Sequence, residues 1–189
     1  MILPSILQSA RHYIKQALPP GGFAIDGTVG NGYDTLFLAE TTGPSGAVFG
    51  FDIQQAALQQ ARCRLEKAGQ LEQVRLFHAS HHRMGEELPP RLKGKIHAAM
   101  FNLGYLPHGD SSVITRKETT IPALQTALDW LKSGGILTCA LYTGHPGGQE
   151  EADHVIRFAT GLCPKSYQVL WQQLINRKQA PSLVIIEKR

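Results

Sequence analysis

Apolar residues recur at helical spacing over residues 4–18 (Ile6, Leu7, Ala10, Tyr13, Ile14, Ala17, Leu18), and Pro19-Pro20-Gly21-Gly22 stops the pattern, which predicts an N-terminal amphipathic helix. Beyond it, short apolar runs alternate with helical patterns. Strands are predicted over 23–27, 47–52, 74–78, 95–102 and 136–142, and helices over 34–40, 54–67, 121–131 and 150–159. Turn residues punctuate them: Gly43-Pro44-Ser45-Gly46 before the second strand, Ser133-Gly134-Gly135 before the fifth and Gly144-His145-Pro146-Gly147-Gly148 after it. Such alternation builds a parallel sheet with helices on both faces. The last two runs, 167–174 and 182–187, are separated only by 175–181, which leaves no room for a crossover helix, so they should pair antiparallel. The polar stretch from Gly104 to Lys117 is too long for a simple connection and reads as functional.

The sharpest chemical signal lies in Phe23-Ala-Ile-Asp26-Gly-Thr28-Val-Gly30-Asn31-Gly32-Tyr-Asp34-Thr35, followed by Asp52 at the end of the next strand. A strand that enters a glycine-rich turn and then a helix brings backbone close to a nucleotide, and an acid at the end of the second strand accepts hydrogen bonds from ribose hydroxyls. A dinucleotide fingerprint wants a third glycine where this chain has Thr35, and carboxylates at Asp26 and Asp34 would repel a pyrophosphate. A cationic ligand suits them better. S-adenosylmethionine carries a sulfonium, an ammonium and a ribose, so the loop reads as the cofactor site of a class I methyltransferase. The fold expected is a Rossmann-like α/β domain: a seven-stranded, mostly parallel sheet with a C-terminal antiparallel hairpin. It spans 1–189 as one domain, and the helix within 1–20 covers the cofactor pocket.

Composition narrows the setting. A chain of 189 residues holds one α/β domain with a substantial core, and 42% hydrophobic with 18% charged residues is ordinary for a globular protein. No apolar run approaches the ~18 residues of a membrane span. Arg11, His12 and Lys15 interrupt what would be a signal peptide's apolar core. Cys63, Cys139 and Cys163 lack metal or redox spacing, which fits a reducing cytoplasm. A net charge of +4 permits a polyanionic partner without requiring one.

Three further segments carry chemistry. Asn102-Leu-Gly-Tyr105-Leu-Pro107 ends the fourth strand at the carboxyl edge, where open α/β sheets bind ligands. In amine methyltransferases the related position holds an Asp/Asn-Pro-Pro-aromatic motif that grips the target nitrogen and stacks on the substrate; the alternative is that Asn102 caps a loop and Tyr105 packs in the core. Ser80-His81-His82 follows the third strand, where such enzymes contact adenine, and adjacent histidines diverge too far to share a metal. His145 either faces substrate or bonds backbone. Arg91, Lys93, Lys95, Arg177 and Lys178 read as solvated surface that could also meet phosphates.

Taken together, Asp26-Gly-Thr-Val-Gly-Asn-Gly-Tyr-Asp34-Thr35, Phe101-Asn-Leu-Gly-Tyr-Leu-Pro107 with Gly109-Asp110, Glu118-Thr-Thr120, Gly144-His-Pro-Gly-Gly148 and Ile185-Ile-Glu-Lys-Arg189 resemble the bacterial YtqB/MnmM group over nearly the whole chain. The resemblance implies a cytoplasmic homodimer that methylates the amino group of 5-aminomethyl(-2-thio)uridine at the tRNA wobble position, contacting the anticodon stem-loop. The runner-up is an rRNA or small-molecule methyltransferase on the same cofactor site. Cofactor contacts are expected from Asp26, Thr28, Gly30, Asn31, Gly32, Asp34, Thr35, Asp52, Gln54, Ser80, His81 and Asn102. Substrate contacts are expected from Tyr105, Asp110, Thr119, Tyr142 and His145, with Asn102, Tyr105 and His145 catalytic and no metal. The chain departs from the family at His108, where glycine is usual, and at Ala180, where a second proline precedes Pro181.

Overall fold

The structure, a computed structural model, describes residues 2–104 and 114–189. Helix α1 (Ile6–Ala17) starts at a capping box: the Ser5 hydroxyl accepts the Gln8 N–H at 3.2 Å and the Gln8 side chain accepts the Ser5 N–H at 2.8 Å. It ends because Leu18 is extended ahead of Pro19. Strands β1 (Phe23–Asp26), β2 (Ala47–Asp52), β3 (Val74–His78), β4 (Ile96–Asn102) and β5 (Leu131–Leu141) alternate with helices α2 (Tyr33–Thr42), α3 (Gln55–Lys67), α4 (Met84–Glu87) and α5 (Lys117–Trp130). Helix α6 (Gly148–Thr160) then leads to β6 (Tyr167–Gln173) and β7 (Ser182–Lys188).

The seven strands lie in the order β3-β2-β1-β4-β5-β7-β6, all parallel except for β7, which runs antiparallel to both β5 and β6. This is the predicted sheet with its terminal hairpin. Its two faces are buried separately. On one, Phe49, Phe51, Phe101, Leu137 and Ile186 meet α4, α5 and α6; on the other, Ala24, Val48, Met100, Leu183 and Ile185 meet α1, α2 and α3. Strands covered on both sides read as continuous apolar runs, as β7 does with Leu183-Val-Ile-Ile186.

Three departures from the sequence reading exceed two residues. Helix α5 begins at Lys117 rather than 121 and carries Pro122 inside it. The missing proline N–H leaves only the carbonyl of exposed Glu118 without its helical partner, near the helix start, where the loss is small. Ser133-Gly134-Gly135 is not a turn ahead of a strand but a bulge within β5, because Ile96 pairs Leu131 while Ala98 pairs Ile136. Residues 81–92, which carried no predicted element, hold α4 between two single turns of 3-10 helix and bury Met84, Leu88 and Leu92. Among the described residues no helix is long and apolar enough to cross a membrane.

Candidate active site

The strand order reverses between β1 and β4, and the carboxyl ends on either side of that switch open onto a cavity of about 1040 Å³. The β1 loop supplies Gly27, Thr28, Gly30 and Asn31, the end of β2 supplies Asp52 and Gln54, and the segment after β3 supplies Ser80 and His81. Opposite them stand Asn102 and Gly104 after β4, Thr119 on α5, and Tyr142 and His145 after β5. Leu7 and Arg11 of α1 complete the wall. Most of the residues singled out in the sequence therefore meet in one place. Tyr105 and Asp110 lie outside the described residues.

Gly32 explains the loop's shape. It sits at φ +78°, and a Cβ there would lie 2.7 Å from Ala61 of α3, so both backbone and packing demand glycine. The loop is then stitched by carboxylates. Asp52 accepts the Gly30 N–H on one oxygen and the Gln54 N–H on the other, each at 2.8 Å. Asp26 accepts the Thr28 N–H at 3.1 Å and the Thr35 hydroxyl at 2.6 Å, while the Thr28 hydroxyl accepts the Asn102 N–H at 2.7 Å.

This arrangement corrects the picture of two acids facing a cation. Asp26 is 1% exposed, and burial, with Asp34's charge second, pushes its carboxyl up to about 7. Asp26, Gly32 and Thr35, expected among the cofactor contacts, are buried, are not among the residues that line the cavity, and hold the loop's shape. Asp34 does line the cavity, but Arg11 reaches it from α1 with Nη2 at 2.9 Å and Nε at 3.2 Å. No sequence periodicity marks Arg11, which lies on the polar side of its helix.

Two buried acceptors face inward. Asn102 gives its amide N–H to the second oxygen of Asp34, and its Oδ1 has no partner among the described residues. A carboxylate only accepts, so the contact turns the amide oxygen, and not the nitrogen, away from Asp34. His81 reaches across to Gly27, whose carbonyl lies 3.1 Å from Nδ1, so Nδ1 carries the proton and Nε2 is a bare lone pair without a described partner. Burial pulls its pKa down to about 4, which keeps the ring neutral.

The remaining residues are placed as follows. The Ser80 hydroxyl lies 2.8 Å from His82 Nδ1, and Thr119 donates to the Arg116 carbonyl at 3.1 Å. His145 lines the cavity, and its Nδ1 lies 3.1 Å from the Pro146 carbonyl. Burial, then Asp34, raises the Tyr142 phenol. Tyr33, Gln179 and Thr115 also line the cavity and were not foreseen as site residues. Tyr33 lies under the Arg64 guanidinium at 3.6 Å, while Arg64 Nε donates to the Asn31 carbonyl at 2.8 Å. Among the described residues no group of three or more His, Cys, Asp or Glu could hold a metal.

A 3-2-1-4-5-7-6 sheet with a glycine loop after β1, an acid ending β2 and an asparagine ending β4 defines a class I methyltransferase. The chain belongs to the family described as "Putative rRNA methylase", whose profile matches residues 48–188. It is 38% identical over 183 residues to the chloroplastic tRNA (mnm(5)s(2)U34)-methyltransferase of Arabidopsis thaliana, covering 93% of this chain and 66% of that protein. A structure of the same rRNA-methylase description from Clostridium thermocellum superposes with a TM-score of 0.95 at 39% identity, and both chains are covered in full. A Streptococcus mutans methyltransferase solved in complex with SAH gives 0.89 at 33% identity, again over 100% of both chains.

Proposed function

We propose that this methyltransferase uses S-adenosylmethionine to methylate the amino group of 5-aminomethyl(-2-thio)uridine at the tRNA wobble position, giving the 5-methylaminomethyl form. The observation that carries the reading is Asn102, whose amide oxygen is presented alone at the carboxyl edge with its orientation fixed by Asp34. Such an acceptor grips an N–H and leaves the nitrogen lone pair directed elsewhere. The Arabidopsis relative, named for modification of U34, supports the substrate.

The donor set fits the cofactor. Each Asp52 oxygen accepts one backbone N–H and keeps capacity for ribose hydroxyls. The loop residues Thr28, Gly30 and Asn31 line the same cavity, together with Gln54, Ser80 and neutral His81. When bound, S-adenosylmethionine supplies an activated methyl with its leaving group built in. The protein's own tasks are to align the amine and to exclude water. Asn102 holds one N–H of the neutral amine, while His145, Asp110 or bulk water accepts the proton that an incoming ammonium must lose first. Tyr105 is assigned to stack on the splayed base and Tyr142 and Thr119 to border it.

The same reading takes 1–189 as one cytoplasmic domain that acts as a homodimer on the anticodon stem-loop, with α1 over the cofactor. An rRNA substrate is the second reading, favoured by the family's description. The deciding assay supplies labelled S-adenosylmethionine and tRNA from a strain lacking this methylation, then digests to nucleosides. Label in the wobble uridine, falling as salt rises and rising with pH until the amine is unprotonated, is the expected result. Label in ribosomal RNA or a small amine alone overturns the substrate and leaves the methyltransferase.

A further inference from the structure

We infer that Glu151 is a positioning residue for methyl transfer, acting through Thr115 to fix the cavity wall beside Asn102; this rests on the role proposed for Asn102. Glu151 lies in the first turn of α6 and is 3% exposed, and no described cation pairs with it. A buried carboxylate is costly to keep where glutamine or leucine would fill the space, so its acceptor chemistry is what the site uses.

Each oxygen takes one hydroxyl. Oε1 accepts from Thr120 at 2.6 Å and Oε2 from Thr115 at 2.7 Å. Because a carboxylate cannot donate, both hydroxyl protons must point at it, and the Thr115 lone pairs are left facing the other way. There they accept the Gly104 N–H at 2.8 Å, while the Thr115 N–H donates to the Gly104 carbonyl at 2.9 Å. Gly104 stands at φ +134°, two residues beyond Asn102, in a conformation that glycine alone adopts freely. Gly104, Thr115 and Thr119 line the cavity, whereas Glu151 and Thr120 do not. Glu151 therefore sets the polarity of a hydrogen-bond chain that ends on the segment leading out of Asn102. A glutamine in its place carries one acceptor and one N–H₂, so one of the two hydroxyl protons loses its acceptor and the direction of the Thr115–Gly104 bonds is no longer imposed.

The test uses the full-length enzyme and Glu151→Gln, Thr115→Val, Thr115→Ser and the double variant Glu151→Gln/Thr115→Val. Single-turnover methylation should fall roughly 10- to 100-fold in Glu151→Gln and Thr115→Val, the scale of a misplaced reacting group. Cofactor affinity by calorimetry should not change, Thr115→Ser should behave as wild type, and the double variant should lose no more than either single change. Additive losses, or equal turnover in Thr115→Val and Thr115→Ser, overturn the proposal, and the second comparison still decides if Glu151→Gln fails to fold. Amide exchange reads the chain independently of substrate: the Gly104 amide should exchange faster in Glu151→Gln with the Asn102 amide unaffected. Unchanged exchange refutes the positioning role, whereas wild-type enzyme that never labels wobble uridine refutes only the functional reading.

Discussion

Asn102 and Asp34 are joined side chain to side chain across 68 residues of sequence, linking the end of β4 to the first turn of α2. Arg11 closes the arrangement from a third element. The charge pair at its outer end is partly exposed and contributes little to stability. Its value lies in orientation, because an amide held by an acceptor-only group cannot flip.

Replacing Asp34 with asparagine should therefore lower turnover more than it weakens cofactor binding. A second amide offers Asn102 either a donor or an acceptor, so the Oδ1 direction is no longer set. A loss of roughly 10- to 100-fold in kcat/KM is expected, with Asn102→Ala at least as severe and falling chiefly on kcat. Wild-type turnover in Asn102→Ala would remove the positioning role.

Asp52→Ala should weaken S-adenosylmethionine binding by roughly 1.5–3 kcal/mol, the size of a charge-assisted hydrogen bond. Titration calorimetry checks it, and unchanged affinity would contradict the ribose assignment.

Asp26 and His81 should oppose one another in acid. Asp26 titrates near 7 in the fold against an ordinary 3.8, so the native state holds an extra proton between those values and stability falls as pH rises through them. His81 titrates near 4 against 6.5, so the unfolded chain holds the extra proton and stability rises with pH over that interval. Between about 4 and 6.5 the two slopes cancel. Asp26→Asn should expose the rising slope, on the order of 3 kcal/mol across the window, and His81→Gln the falling one. Thermal denaturation from pH 4 to 8 measures both, and parallel profiles for the two variants would contradict the assignment.

Gly32→Ala should destabilise by roughly 2–4 kcal/mol, combining left-handed strain with a clash against Ala61. Gly69, just past the end of α3, provides the comparison, since it has φ +65° and an added methyl there would meet nothing within 4 Å. Gly69→Ala should cost only the strain, roughly 1–2 kcal/mol, in denaturant titration.

What the sequence reveals follows from how local its causes are. Strand and helix identities are legible because apolar spacing reports burial, and the Gly30-Asn31-Gly32 loop because backbone geometry restricts residue choice. The join between α5 and β5 is ambiguous because Gly134 and Gly135 signal a turn equally well as a bulge, and only pairing with Ile96 and Ala98 decides. Asp26 reads as a ligand contact since an acid in a glycine loop carries no mark of burial. Arg11 and Glu151 act on residues 23 and 36 positions away, and such pairs leave no local pattern.

β7 is made after β6 yet lies between β5 and β6. During synthesis β6 emerges with no strand to join, and the β5 edge from Ile136 to Leu141 stays unpaired until residues 182–187 arrive. At about 5–20 residues per second the gap between β6 and β7 is short, but it makes sheet closure a late, non-local event. A nascent chain halted within it presents an apolar, hydrogen-bonding edge that invites pairing with another chain, so this stretch is where translation and self-association compete.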